Sequence, residues 1–191
     1  MTVMTPKPAL TQLDDLMAHA EGYANFLMRK NGRVPPTLLA ATPEGVLCYV
    51  PHDLADTQAK DSFANTARLI CAAFAATAVV MTLEAWATFA KPGEALDTDT
   101  PPSEAFDRQE FVVLMGEVAG QKKQKMLPII RTDAGGFFGF GEFDSGSFDG
   151  FQGRFAGLLP PKVPNAEQRA LAKAMLEVMG VTDVTLGREL N

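Results

Sequence analysis

The sequence predicts an α+β fold in which a mostly antiparallel sheet packs against helices. Three observations lead there. Short β-prone runs return on themselves across turn residues, as hairpins do. Only three stretches carry apolar residues at helical spacing, and they do not alternate regularly with strands as a doubly wound nucleotide fold requires. The chain has 191 residues, 47% of them apolar, and at that length roughly 70% of the unfolded surface can be buried. A single domain over residues 1–191 is therefore expected, with 1–9 a loose tail and 160–191 a C-terminal helical segment.

The first helix is expected to start at Thr11, whose hydroxyl can cap it, with Asp14 and Asp15 favourable in its first turn. Leu13, Leu16, Met17, Ala20, Ala24 and Leu27 then form one apolar face. Arg29 and Lys30 suit the last turn, Asn31-Gly32 ends it, and Pro35-Pro36 blocks continuation. Thr37–Thr42 and Val46–Val50 follow as a hairpin joined through Pro43-Glu44-Gly45, a type I turn with a bulge.

Between Asp53 and Ala90 the period changes. Phe63, Ala67, Ile70, Cys71, Phe74 and Ala78 recur at helical spacing, whereas Val79 to Phe89 alternates. An unbroken helix over 61–90 would be about 45 Å long, too long for a domain of this size. A break near Ala76-Thr77 is expected, although no Gly or Pro marks it. Residues 94–107 hold five acidic and no basic side chains and read as a loop. Glu110–Val118 reads as a buried strand, Gly120–Lys125 as a polar hairpin tip, and Met126–Thr132 as a returning strand. Pro128 within that strand suggests an edge position or a bulge. Asn165 caps the last helix with Gln168 as its capping-box partner. Ala170, Leu171, Ala174, Met175 and Val178 form its apolar stripe, Gly180 ends it, and Val181–Leu186 follows as a short strand.

Charge and composition exclude several functions. Seventeen basic against 23 acidic side chains leave a net charge of −6, which argues against a broad phosphate-binding surface. The one basic cluster, Lys122, Lys123 and Lys125, has no interleaved aromatics, so nucleic acid is not an expected partner. The longest uncharged run, Leu69 to Leu83, falls short of the roughly 18–20 residues of a membrane span. Met1–Lys7 lacks the pattern of a signal peptide. Cys48 and Cys71 read as buried thiols. A cytoplasmic location is the expectation.

Reaction chemistry finds little footing. His19, His52 and Cys48 do not make a zinc set without distant carboxylates. Cys48 or Cys71 with His52 lacks a nucleophile elbow, as does Ser145-Gly146-Ser147. No phosphate loop exists, and no cofactor or metal is expected. Carboxylates are the remaining option, since Glu84, Glu110 and Glu117 lie in or beside strands. Glu84 beside Trp86 could act as an acid of raised pKa, or simply pair with Arg108.

Residues 135–157 hold eight of the 16 Gly and seven of the 13 Phe. Glycines permit tight turns and the rings between them can fill core. Alternatively the segment is an aromatic loop that docks on a partner. On that reading Phe137, Phe138, Phe140 and Phe143, with Glu84 and Trp86, are the candidate partner-binding residues.

A pattern over Leu83–Glu117, about a fifth of the chain, is distinctive. Glu84-Ala85-Trp86 ends one strand, Pro102-Ser103 lies in the spacer, and Arg108-Gln109-Glu110 opens the next strand. This resembles an uncharacterised family of small α+β proteins common in phages and mobile elements. The resemblance implies mobile-element origin and brings no activity with it. Locally, Arg108 and Glu110 could pair with Glu84 and the Ser103 hydroxyl.

The leading expectation is a non-enzymatic protein-binding domain of mobile-element origin that inhibits or modulates a host complex, for instance one of defence. A small enzyme using carboxylates near Glu84 and Trp86 is the first alternative. A self-associating structural component, a homo-oligomer joined at the Pro128 edge or the Phe region, is the second.

Overall fold

A computed structural model describes residues 13–51, 54, 56–90, 93, 99–143, 151–181 and 184–187. The expected tail, the Thr11 cap, His52 and the Ser145–Ser147 step lie outside the described residues. Ten elements follow in the order α1 (Leu13–Asn31), β1 (Thr37–Thr42), β2 (Gly45–Tyr49), α2 (Thr57–Ala73), β3 (Ala78–Ala87), β4 (Gln109–Val118), β5 (Gln121–Arg131), β6 (Phe137–Phe140), α3 (Ala166–Val178) and β7 (Thr185–Gly187). The fold is α+β, as the hairpin-rich pattern predicts.

The strands form one sheet in the order β6-β5-β4-β3-β1-β2-β7. Every pairing is antiparallel. Helices cover both faces. One core joins Leu13, Leu16, Met17, Ala20, Ala24 and Met28 of α1 to Leu39, Ala41, Val80, Val112, Leu114 and Leu127. The other joins Phe63, Ala67, Ile70 and Cys71 of α2, with Ala172 and Leu176 of α3, to Leu38, Ala40, Val79 and Met81. Burial on both faces explains why β1 is buried at every position and reads as a continuous apolar run rather than an alternation. Gly116 of β4 allows α1 to lie close, because a Cβ there would meet Met17 Sδ at 2.6 Å.

The break between α2 and β3 falls where expected, and the device that makes it is unusual. Ala75 takes a left-handed conformation, φ 50°. Ala76 N–H donates to Cys71 O at 2.9 Å and Ala75 N–H to Ala72 O at 3.4 Å. These are the two closing bonds of a Schellman end, with alanine where glycine is usual. The same bonds close α3 around Gly180.

Two strand expectations need correction. The hairpin tip is shorter than Gly120–Lys125: β5 begins at Gln121, paired with Val118 across Ala119-Gly120. Its lysines reach back over the sheet, Lys123 to Asp14 at 2.6 Å and Lys125 to Glu21 at 2.5 Å. Pro128 is neither on an edge strand nor at the bulge, which lies between Ile130 and Arg131. Its carbonyl accepts from Gly141 N–H at 2.8 Å. In an antiparallel ladder a residue's N–H and C=O face the same neighbour, so the missing N–H costs nothing toward β4. It also stops β6, and the outer edge of β5 over 121–127 has no neighbouring strand among the described residues.

The α3 stripe is the largest correction. The buried residues are Ala172 and Leu176, while Leu171, Met175 and Val178, taken from the pattern as core-facing, are exposed. The capping box at Asn165 and Gln168 forms as expected. No helix of the described residues is long and apolar enough to cross a membrane.

Candidate interaction surface

The contacts divide the Phe/Gly region between the two faces. Phe137 and Phe140 are half-buried against the α1 core, their ring centroids 5.1 Å apart. Phe143 crosses to the opposite face, 5.2 Å from the fully buried Phe111 and 5.0 Å from Phe89. Phe155 packs 5.7 Å from Phe63 of α2. Phe138 alone of the four candidate rings is broadly exposed, at 70%. Most of the described aromatic segment is therefore packing, and one ring is left for solvent or a partner.

The returning chain is pinned by polar groups, of which the sequence singles out only Glu117. Glu117, only 7% exposed, accepts from Gly157 N–H at 2.9 Å and Leu158 N–H at 3.3 Å. Arg68 of α2 donates to the carbonyls of Arg154, Ala156 and Gly157. Arg154 pairs with Asp61. Cys71, buried close to Glu117, is pushed up to about 12 by desolvation and by that carboxylate's charge, so it is an inert thiol. Cys48 is also raised by burial and sits 3.9 Å from the Tyr23 hydroxyl.

Glu84 and Trp86 share the α1 face of β3, at the end where α1 terminates. Glu84 is half-buried and accepts from Val34 N–H at 2.6 Å, closing the turn after α1. Burial raises its pKa; the Val34 bond lowers it, the Glu110 charge raises it, and Arg131 and Arg33 lower it. The pairings expected locally are redistributed. Glu110 holds Arg131 through two bonds, at 2.6 and 3.1 Å. Arg108 lies over the Trp86 ring, 4.6 Å from its centroid, and donates to the Ser103 carbonyl rather than its hydroxyl. Both carboxylates are thus structurally engaged. Neither lines a cavity of about 510 Å³ between the β4–β5 turn and Leu159–Pro161, whose lining includes Glu117, nor one of about 340 Å³ between α2, α3 and Pro43-Glu44. Among the described residues no group of three His, Cys, Asp or Glu is placed to hold a metal ion.

The large exposed apolar side chains fall mainly into two groups. Phe26, Trp86, Phe106 and Phe138 lie around the C-terminal end of α1 and the adjoining strand ends. Leu171, Met175, Val178 and Met179 lie on α3. The first group is interleaved with cations: Arg29 over Phe137 at 5.8 Å, Lys30 over Phe26 at 5.6 Å, and Arg108 over Trp86. Sequence reasoning missed this because Arg29, Arg33, Arg108 and Arg131 are scattered along the chain. Only the pairing of β3, β4 and β5 brings the last two to Trp86. Compared with protein-family models, curated proteins and solved structures, the chain matches none.

Proposed function

We propose that the protein is a non-enzymatic binding domain of mobile-element origin, which docks on a host protein complex and modulates it by contact. What carries the reading is the gathering of exposed aromatics at one end of an otherwise well-packed molecule. Trp86 is 41% exposed and Phe138 70%, while the neighbouring Phe137, Phe140 and Phe143 are held by the core. Trp and Arg are enriched in binding hot spots, and here the Arg108 guanidinium lies over the Trp86 ring. The test is affinity capture from host lysate with wild type and with the Trp86→Ala/Phe138→Ser variant. A partner lost by the variant while its melting curve is retained is the expected result. A partner set identical for the two baits would remove this face from the proposal.

A second reading, self-association, is favoured by α3, where Leu171 is 63% and Val178 90% exposed. Light scattering on Leu171→Ser/Val178→Ser against wild type decides it. A wild type that stays monomeric across concentration ends that reading.

A further inference from the structure

We infer that the partner surface received at the Trp86 end is acidic, and that Arg33 and Arg108 take its carboxylates. The inference deepens the docking reading above and rests on it. At this end Arg131 is already paired with Glu110, and elsewhere on the molecule Lys123, Lys125 and Arg154 each meet a carboxylate. By contrast Arg29, Lys30, Arg33 and Arg108 have none within ion-pair distance among the described residues. That holds even though Glu104 and Asp107 lie on the loop just before Arg108. Arg33 is exposed and close enough to Glu84 to lower its pKa. The Arg108 guanidinium carbon lies over the Trp86 ring, 4.6 Å from its centroid, and one N–H group donates to the Ser103 carbonyl, so the group is positioned from two sides. A guanidinium positioned in this way loses little freedom when it donates to a carboxylate.

The four cations stand in a chain whose net charge is −6. With acidic side chains in excess, the chain does not offer the broad basic surface that a continuous run of phosphates needs. A nucleic-acid strand is therefore the poorer occupant, and an acidic peptide with an apolar residue to set on Trp86 is the better one.

The probes are fluorescein-labelled peptides of alternating Glu and Leu or alternating Lys and Leu, and a labelled thymidine oligonucleotide, read by anisotropy. The Glu peptide is expected to bind the wild type more tightly than the other two and to weaken as salt rises. Arg33→Glu with Arg108→Glu should weaken it by more than about tenfold, roughly the effect of one lost charged contact. Arg33→Ala, at an exposed residue, serves where the double variant folds poorly. Lys162→Glu with Lys173→Glu, on the α3 side, should change nothing. A Glu peptide that binds no better than the Lys peptide or the oligonucleotide, or that ignores the Arg33 and Arg108 changes, overturns the inference. A captured partner that needs Trp86 but ignores both arginines would also overturn it, while leaving the docking face standing.

Discussion

Replacing Glu117 tests how the aromatic segment is held. Its carboxylate accepts from Gly157 and Leu158 N–H, and Leu158 is itself 2% exposed. In Glu117→Ala the Gly157 amide can turn to water, but the Leu158 amide cannot without lifting its side chain from the core. An orphaned buried donor costs about 1–3 kcal/mol. Exposing the Leu158 side chain instead costs about 1.5–3 kcal/mol. The chain takes the cheaper route, and release of the desolvated carboxylate offsets part of the loss. The expected destabilisation is about 2 kcal/mol. Glu117→Gln keeps an oxygen in place but loses the charge, and should cost about 1 kcal/mol. Urea unfolding followed by circular dichroism reads both, with the midpoint of the alanine variant lower by about 1 M at ordinary slopes. Tryptic cleavage after Arg154, within the pinned segment, should quicken in the same order. An alanine variant within 0.5 kcal/mol of wild type (about the scatter of neutral surface changes) and equally slow to cleave would show that the segment is held by its rings alone.

Other outcomes follow from single contacts. Ala75→Gly should raise stability by about 0.5–1 kcal/mol in thermal melts, because the left-handed penalty removed exceeds the extra chain entropy of glycine; an unchanged or lower midpoint contradicts the Schellman assignment. Lys123→Thr with Lys125→Thr should produce concentration-dependent association in light scattering, since charged side chains blunt the open edge of β5; a monomer at every concentration would mean that something else protects it. Glu84 has a raised folded-state pKa, so the folded chain binds more protons than the unfolded one above the ordinary carboxylate range. Wild type should therefore lose stability relative to Glu84→Gln as pH rises from the unfolded pKa through the folded one. Urea midpoints at pH 4 and pH 7.5 check the sign, and a difference that grows in favour of wild type with pH refutes it.

Local signals made most of the fold legible. Caps, Gly ends and turn residues marked α1, the β1–β2 hairpin and α3 because each acts within a few residues. The change of period near Ala76 was visible although its cause, a strained alanine, was not. What the pattern could not supply was the partner of each face. In α3, Ala170, Leu171, Ala172, Ala174, Met175, Leu176, Val178 and Met179 span more than half of the helix circumference. Periodicity shows that such a helix is apolar without saying which arc meets the sheet. Contact with α2 selects the small arc through Ala172 and Leu176 and leaves the larger side chains outside. The site was half legible. Glu84 and Trp86 were conspicuous as polar and aromatic ends of an apolar strand. Arg33, Arg108 and Arg131 drew no attention as a group, since only the β-pairing and the end of α1 bring them together.

The geometry of cover explains why the open surface lies where it does. Seven strands at about 4.8 Å spacing make a sheet roughly 30 Å wide, and a helix covers about 10 Å of it. On one face α2 and α3 leave a remainder, which Phe89 and Phe143 close over Phe111. There the aromatic residues do the work of a third helix, and the close approach before Phe143 falls at Gly141, where a Cβ would meet Ile130 Cδ1 at 3.2 Å. On the other face α1 is the one helix among the described residues. Rings on its flank stay half-buried at Tyr23, Phe137 and Phe140, and past its last turn nothing among the described helices covers β3, so Glu84 and Trp86 meet solvent there. A sheet face left uncovered where α1 stops would normally be made polar along its length. Here it ends in an indole with a guanidinium over its ring, an arrangement that solvation alone does not require and that a docking partner would use.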